Sequence, residues 1–480
     1  MASNTDVRTG GSSDFQLIVS QFLAQPGLPF EGILSAERIE RIFAKHGNIF
    51  GVGQIYSTAV MLWAFLGQVL QDGKNAACQA AVAGIIVFQL QRGAKVPTAD
   101  TGDYCRARAK LSEAALKDLT CEVAAELEQQ AQPSWLWEGR PAKLVDGFTF
   151  TMADTAENQA EYPSPRTQKA GVGLPIARAV AILSLATASA LQLAMGPYSG
   201  KETGETALLR QLLPSFNKDD VAVMDRYYCS FMMIALLMAR GVSVCARMHQ
   251  QRHVDFRRGT RLGKNDHLIT WTKPVRPTWM DQATYDTIPE TLTLRELRYR
   301  VIKPGYRTKA ITIATTLLDA EKYSLEQIAE LYRFRWNSEL DVRAIKQNLN
   351  LAHSACKTPE MVRKEMWTTL LAYNLIRTTA AAAALLHDKQ PRQISFTSTC
   401  QFVLASGRLW STSALLSAAA AEAYGRALLE RISQCEVAHR DGRLEPRVIK
   451  RRRHSYKLMQ EPRAVLRAKL LKKSSASPGR

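Results

Sequence analysis

Apolar residues recur every three to four positions from Leu34 to about Gln132, and this spacing predicts a run of helices. "LSAERIERIFAKHG" offers Ser35 as an N-cap, Ile39, Ile42 and Phe43 as a buried stripe, and Gly47 as a stop. "TAVMLWAFLGQVL" and "CQAAVAGIIVFQLQ" are apolar nearly all round, as buried helices are, and an amphipathic helix starts at Ser112. Pro133, Trp135, Trp137 and Gly139 then break the pattern. Short strand-like runs follow at "AKLVDGFTFTM", "DDVAVMD" and "VSVCARM", with helical runs at "GETALLRQLL" and "CSFMMIALLMARG". The longest apolar run, residues 179–195, is too short and too polar to span a membrane. It reads as two buried strands joined at "TASA". Interleaved strands and helices predict an α/β domain.

Residues 249–318 differ again: they are polar and basic, with Trp271, Trp279 and strand-like ends at "ELRYRVI" and "AITIATTLL". They read as a β-rich insertion. Helical spacing returns from Ser324 to about Gly425, with Thr358-Pro359 as a cap and first-turn pair. The expected divisions are a helical domain over 1–135, an α/β core over 140–248 and 319–385, the insertion over 249–318, and a helical region with a basic tail over 386–480. Residues 1–15 are polar and Gly/Ser-rich, as disordered segments are.

Charge narrows the function. The 480-residue chain carries a formal net charge of +19, which suits a polyanionic partner. About half of that excess lies in the last forty residues, so the body is basic as well. The tail reads equally as a solvated extension or as a phosphate-contacting arm. "DYCRARAKLS" offers a DNA-contacting helix start or an ordinary charged face. The eight cysteines form no CxxC pair and no zinc-spaced cluster, and no secretory signal is visible; both features suit a cytoplasmic protein. "GPYSGKET" falls short of a phosphate-binding loop, and neither "GVGLPI" nor "GVGQIY" is a dinucleotide fingerprint. No nucleotide cofactor is expected.

The acids carry the candidate chemistry. Asp146 follows a short apolar run in "KLVDGF", and Asp225 closes the buried run "VAVM". An acid at the end of a buried strand is costly unless it is paired or metal-bound. Asp154, Glu157, Asp219 and Asp220 read as loop or cap residues. In "LYRFRWNSELDVRAIKQNLNL", read as one helix from Tyr332, Arg335, Glu339 and Lys346 all fall within roughly 60° of Tyr332 at about 100° per residue. Leu331, Phe334, Val342, Ile345 and Leu349 form the adjoining apolar stripe, and Asp341 points the opposite way. An ion-paired amphipathic helix explains that spacing as well as a functional edge does.

The spaced set Tyr332, Arg335, Glu339, Lys346, with "LVDGFTFTMADTAENQ" and "VAVMDRYYCS" before it, resembles the insertion-sequence-four family of bacterial DDE transposases. "CKTPEMVRKEMW" and "LAYNLIR" resemble the family's downstream helix, so the likeness spans about residues 30 to 460. It implies a ribonuclease H-like catalytic domain with a β-rich insertion, preceded by a helical domain and followed by C-terminal helices. Asp146, Asp225 and Glu339 would then bind two Mg²⁺ or Mn²⁺ ions. The activity implied is cleavage of element ends and strand transfer into target DNA. The resemblance further implies that Tyr332, Arg335 and Lys346 contact DNA phosphates, and offers Trp271 as the insertion residue that assists a flipped base. The expected partner is double-stranded DNA, held by a homodimer assembled on it in the bacterial cytoplasm, at the nucleoid, with no membrane association. Phe148 and Tyr227 stand where the family more often has smaller residues. The contrasting readings are an inactive or repurposed end-binding protein, for which the cations alone would suffice, and a nuclease without strand transfer.

Overall fold

The computed structural model describes residues 34–437 and 459–475, apart from 92, 166, 168, 170, 250, 302–309 and 411–417. Residues 1–15 and most of the basic tail lie outside the described residues. Among the described residues, five α-helices come first: α1 (Ala36–Lys45), α2 (Thr58–Val69), α3 (Cys78–Gln91), α4 (Gly102–Ala109) and α5 (Glu113–Gln129). Their starts follow local chemistry, since Ser35, Ser57 and Ser112 each accept a backbone N–H of the first turn. In α4 the cations turn inward or pair locally. Arg108 donates to Gln68 at 2.6 Å and lies over Phe65, while Arg106 pairs with Asp103 at 2.5 Å.

One ten-stranded sheet follows, in the order β3-β2-β1-β4-β5-β9-β8-β7-β6, with β10 on the free part of β1. Its strands are β1 (Ala142–Met152), β2 (Ile176–Ser184), β3 (Ala190–Pro197), β4 (Val221–Met224), β5 (Ser243–Arg247), β6 (Thr260–Gly263), β7 (Asp266–Thr272), β8 (Thr291–Arg300), β9 (Ala310–Thr315) and β10 (His353–Ser354). The apolar run 179–195 is indeed a hairpin, with β2 buried and the edge strand β3 half-buried. β1 is antiparallel to β2 and parallel to β4, and β4 is parallel to β5. That five-strand order and direction is ribonuclease H-like. α6 (Ala156–Glu161), α7 (Glu205–Leu212) and α8 (Phe231–Met238) fill the connections.

Strands β6 to β9, with α9 (Gln282–Thr287) between β7 and β8, make up the polar stretch. They do not form a sheet of their own: β9 pairs antiparallel with β5, so the stretch extends the core sheet. Buried Arg295 on β8 secures the junction, with two bonds to Asp266 and a third donated to the Tyr323 carbonyl at 2.6 Å.

The closing helices are α10 (Leu325–Phe334), α11 (Trp336–Arg343), α12 (Pro359–Leu386), α13 (Phe396–Trp410), α14 (Ala418–Ser433) and α15 (Arg463–Ser475). α12 is long and apolar enough to cross a membrane, but most of it is buried against α5, α14 and α2. The single helix expected over 331–351 is in fact interrupted. α10 ends at Phe334, α11 ends at Arg343, and Ala344–Asn348 form a π turn. A wider turn advances less than an α-helical turn per residue, so positions after 343 leave the regular wheel. The turn keeps both Ile345 and Leu349 buried.

Candidate catalytic site

The register of the central strands brings two acids together. β1 and β4 pair as far as Val145 and Met224, and the next residues along are Asp146 and Asp225. Neighbouring strands lie about 4.8 Å apart, and residues in register on parallel strands share a face. The strands part at this point, since β10 joins β1 only from Thr151. The gap leaves a stretch of the β1 edge open between the acids and β10.

α11 lies over that gap. Ser338 donates its hydroxyl hydrogen bond to Asp146 Oδ2 or to the Arg335 carbonyl, each at 2.7 Å. Arg335 donates to Glu339 Oε1 at 2.8 Å and sits 3.8 Å from Asp146 Oδ2. Burial pushes the Asp146 carboxyl above its ordinary value and Glu339 adds to that, although Ser338 and Arg335 oppose it. Burial would lower the Arg335 guanidinium, but Tyr332, Glu339, Asp146 and Asp225 outweigh it and the net shift is upward. One arginine thus feels all three acids named from the sequence. Asp225 also accepts the Arg226 backbone N–H at 2.5 Å.

The remaining residues of the spaced set stand differently from the helical wheel. Tyr332 is buried, and burial drives its phenol far above the usual range. Lys346, in the π turn, donates to the Thr149 carbonyl on β1 at 2.7 Å, and partial burial lowers its ammonium. Trp271 lies on β7, 6% exposed; its Nε1 donates to Glu296 at 2.8 Å and Arg252 covers its face at 3.7 Å. A flipped base could reach that ring only by displacing Arg252. Asp220, read as a cap, is a buried partner of Lys143 at 2.5 Å.

Three neighbours escaped the sequence reading. Ser338 beside Glu339 was the one with a signal, since a small hydroxyl next to a functional acid can orient its partner. Glu205 and Tyr228 gave none. Gly147 has no Cβ, and one placed there would lie 2.4 Å from the Glu205 carboxyl carbon. The glycine therefore admits Glu205, which accepts the Tyr228 hydroxyl at 3.3 Å beside the strand that carries Asp146.

Three carboxylates are hard oxygen donors of the kind Mg²⁺ and Mn²⁺ prefer. As they stand, no group of three Asp, Glu, His or Cys among the described residues is close enough to hold a metal. The Arg335 guanidinium takes the cationic place between Asp146 and Glu339. The donor set fits such an ion in kind.

Comparison with known proteins gives the family. The family described as "Transposase DDE domain" matches residues 137–375. The transposase InsG of insertion sequence element IS4 from Escherichia coli is 26% identical over 400 residues, covering 81% of this chain and 85% of that protein. The transposase of insertion sequence element IS421, also from Escherichia coli, is 39% identical over 61 residues, 13% of this chain and 16% of that one. Among solved structures, the piggyBac transposase synaptic complex with hairpin DNA matches with TM-score 0.43 and 9% identity, over 89% of this chain and 86% of that one. Divalent-metal dependence is what the family implies. The chain belongs to the DDE transposases, in the group of the insertion-sequence-four element.

Proposed function

We infer that this protein is a DNA transposase that cuts the ends of its element and joins them to target DNA, with Asp146, Asp225 and Glu339 as the catalytic acids. The observation that carries the assignment is the register of β1 and β4, with Asp146 and Asp225 adjacent and Glu339 over them through Ser338 and Arg335. Two Mg²⁺ or Mn²⁺ ions held by these acids would supply charge stabilisation for the attacking and leaving oxygens of an in-line displacement. Arg335 then has a second task. Freed from Glu339, its planar fork suits two oxygens of one phosphate, which a lysine cannot match. Lys346 beside Thr149 holds positive charge along the open β1 edge, where a strand would lie. Ser338 fixes the Asp146 carboxylate. Tyr332, mostly buried near Arg335 and Asp225, offers its hydroxyl to a phosphate of the same strand. Double-stranded DNA is the partner, and a homodimer on two paired ends is the assembly proposed.

The test uses end-bearing duplexes in Mg²⁺. Replacing Asp146, Asp225 or Glu339 by Ala should abolish cleavage and keep binding. A fully active Asp225→Ala protein would overturn the assignment, and binding with no cleavage by the unaltered protein would favour a repurposed end-binding protein.

A further inference from the structure

The ends of β5, β8 and β9 border a cavity of about 350 Å³ lined by Arg226, Arg247, His249, Arg252, His253 and Arg298, and no acid among the described residues lines it. Its position follows from the sheet. Arg226 directly follows Asp225, and the β4–β5 ladder ends at Met224 and Ala246, so Arg247 lies beside Asp225 one step further along. The cavity therefore opens next to the proposed carboxylates, on the side of the added strands.

Rings and neutral oxygens hold the arginines in place. Arg252 lies 3.7 Å over the Trp271 ring, and Trp271 is fixed in turn by its bond to Glu296. Arg298 donates from Nε to Thr312 at 3.0 Å and lies 5.1 Å from the Phe256 ring centre. Among the described residues, Arg247, Arg252 and Arg298 form no ion pair with a carboxylate. A guanidinium stacked by its face keeps its in-plane N–H groups for a ligand, and those forks match tetrahedral oxyanions. Four arginines around one cavity repel one another until an anion enters.

We propose that this cavity is a second phosphate subsite. It seats phosphodiester groups of the DNA strand that passes from Asp225 towards β8 and β9, and is separate from Arg335 and Lys346. The proposal rests on the reading of the protein as a DNA-acting enzyme. A strand with its scissile phosphate at Asp225 must carry its next phosphates past Arg226 and Arg247, which makes a DNA phosphate a better occupant than a free anion. Such contacts position the strand without reading bases.

The experiment measures affinity of the full-length protein for a random-sequence duplex of roughly 30 base pairs across a salt series; each lost phosphate contact flattens the log–log slope by about one. Arg298→Gln and Arg252→Gln should each flatten the slope by about one. Arg298→Lys and Arg252→Lys should restore most of it, since charge is kept, and that rescue separates contact from a general folding defect. Inorganic phosphate is titrated in parallel against the unaltered protein and Arg298→Gln. Unchanged slopes in folded Gln variants overturn the proposal, and phosphate binding lost in Arg298→Gln with unchanged DNA slopes assigns the cavity to a free anion instead. If the unaltered protein shows no salt-dependent DNA binding, the broader functional reading fails first, so the two failures are distinct.

Discussion

Asp341 offers a sharp test of what holds α11, the helix of Glu339, in place. It lies two residues beyond Glu339, fully buried, and faces away from the acids. Its Oδ1 accepts Arg377 of α12 at 2.8 Å, and its Oδ2 accepts Arg392 at 2.9 Å. Arg392 also donates to the Leu185 carbonyl at 2.6 Å and the Ser184 carbonyl at 2.5 Å, at the β2–β3 turn. Asp341 thus fastens α11 to the long core helix and to the sheet. Asp341→Ala leaves Arg377 buried with no acid, and removing one partner of a buried pair costs about 3–5 kcal/mol. At about 1.4 kcal/mol per tenfold, hydrogen-exchange protection of residues 336–349 should fall by roughly a hundredfold to a few thousandfold. A local readout is preferred because a chain of this size need not unfold in one step. Cleavage should fall as well, since Glu339 rides on the same helix, while the salt slope of DNA binding stays put. The double variant with Arg377→Ala should lose less than the sum of the two single changes. A loss of protection below about tenfold, or strict additivity, would refute the clamp.

Ser338→Ala should slow cleavage severalfold while costing only about 1 kcal/mol of stability, the net worth of a typical hydrogen bond; equal cleavage rates would remove Ser338 from the site. Gly147→Ala should destabilise by about 1–3 kcal/mol through overlap with Glu205, and adding Glu205→Ala should recover most of that loss in urea titrations. Failure of the second change to rescue would place the strain elsewhere. Glu128 is partly buried, and that burial raises its carboxyl although Ser184, Thr187 and Lys143 oppose the rise. A raised carboxyl contributes stability below its unfolded pKa, about 4.3, and loses it as pH climbs through the folded value. Glu128→Gln should therefore gain stability relative to the unaltered protein as pH rises from 4 to 8, and a pH-independent difference in melting temperature would contradict this.

The parts of this fold that a sequence displays are those set by near neighbours. Serine and threonine caps at positions 35, 112, 324 and 358 depend on one side chain and one turn, and all four form as expected. The hairpin over 179–195 shows because β2, buried on both faces, needs an unbroken apolar run. Asp146 and Asp225 stood out because each ends such a run, but their adjacency depends on register between strands 79 positions apart in sequence. The burial of Tyr332 was hidden for a similar reason: the wheel gives a direction, and what packs against that helix comes from β5 and β8. The π turn adds a residue to one turn, and no local pattern marked it. The polar composition of 249–318 marked a change of character, yet gave no sign that its last strand would bond to β5.

That bond has a consequence for any attempt to trim the protein. Without β9, the backbone of β5 would be left with a row of unpaired N–H and C=O groups on a flat, apolar strand, and such edges recruit strands from other chains. The full-length chain instead ends its sheet on β6, four residues long, with Thr260, Arg261 and Leu262 exposed. A short, charged strand is a poor template for another chain. The added strands therefore guard solubility as well as extending the sheet. A shortened version made to isolate the acids should aggregate unless it brings a new cover for β5.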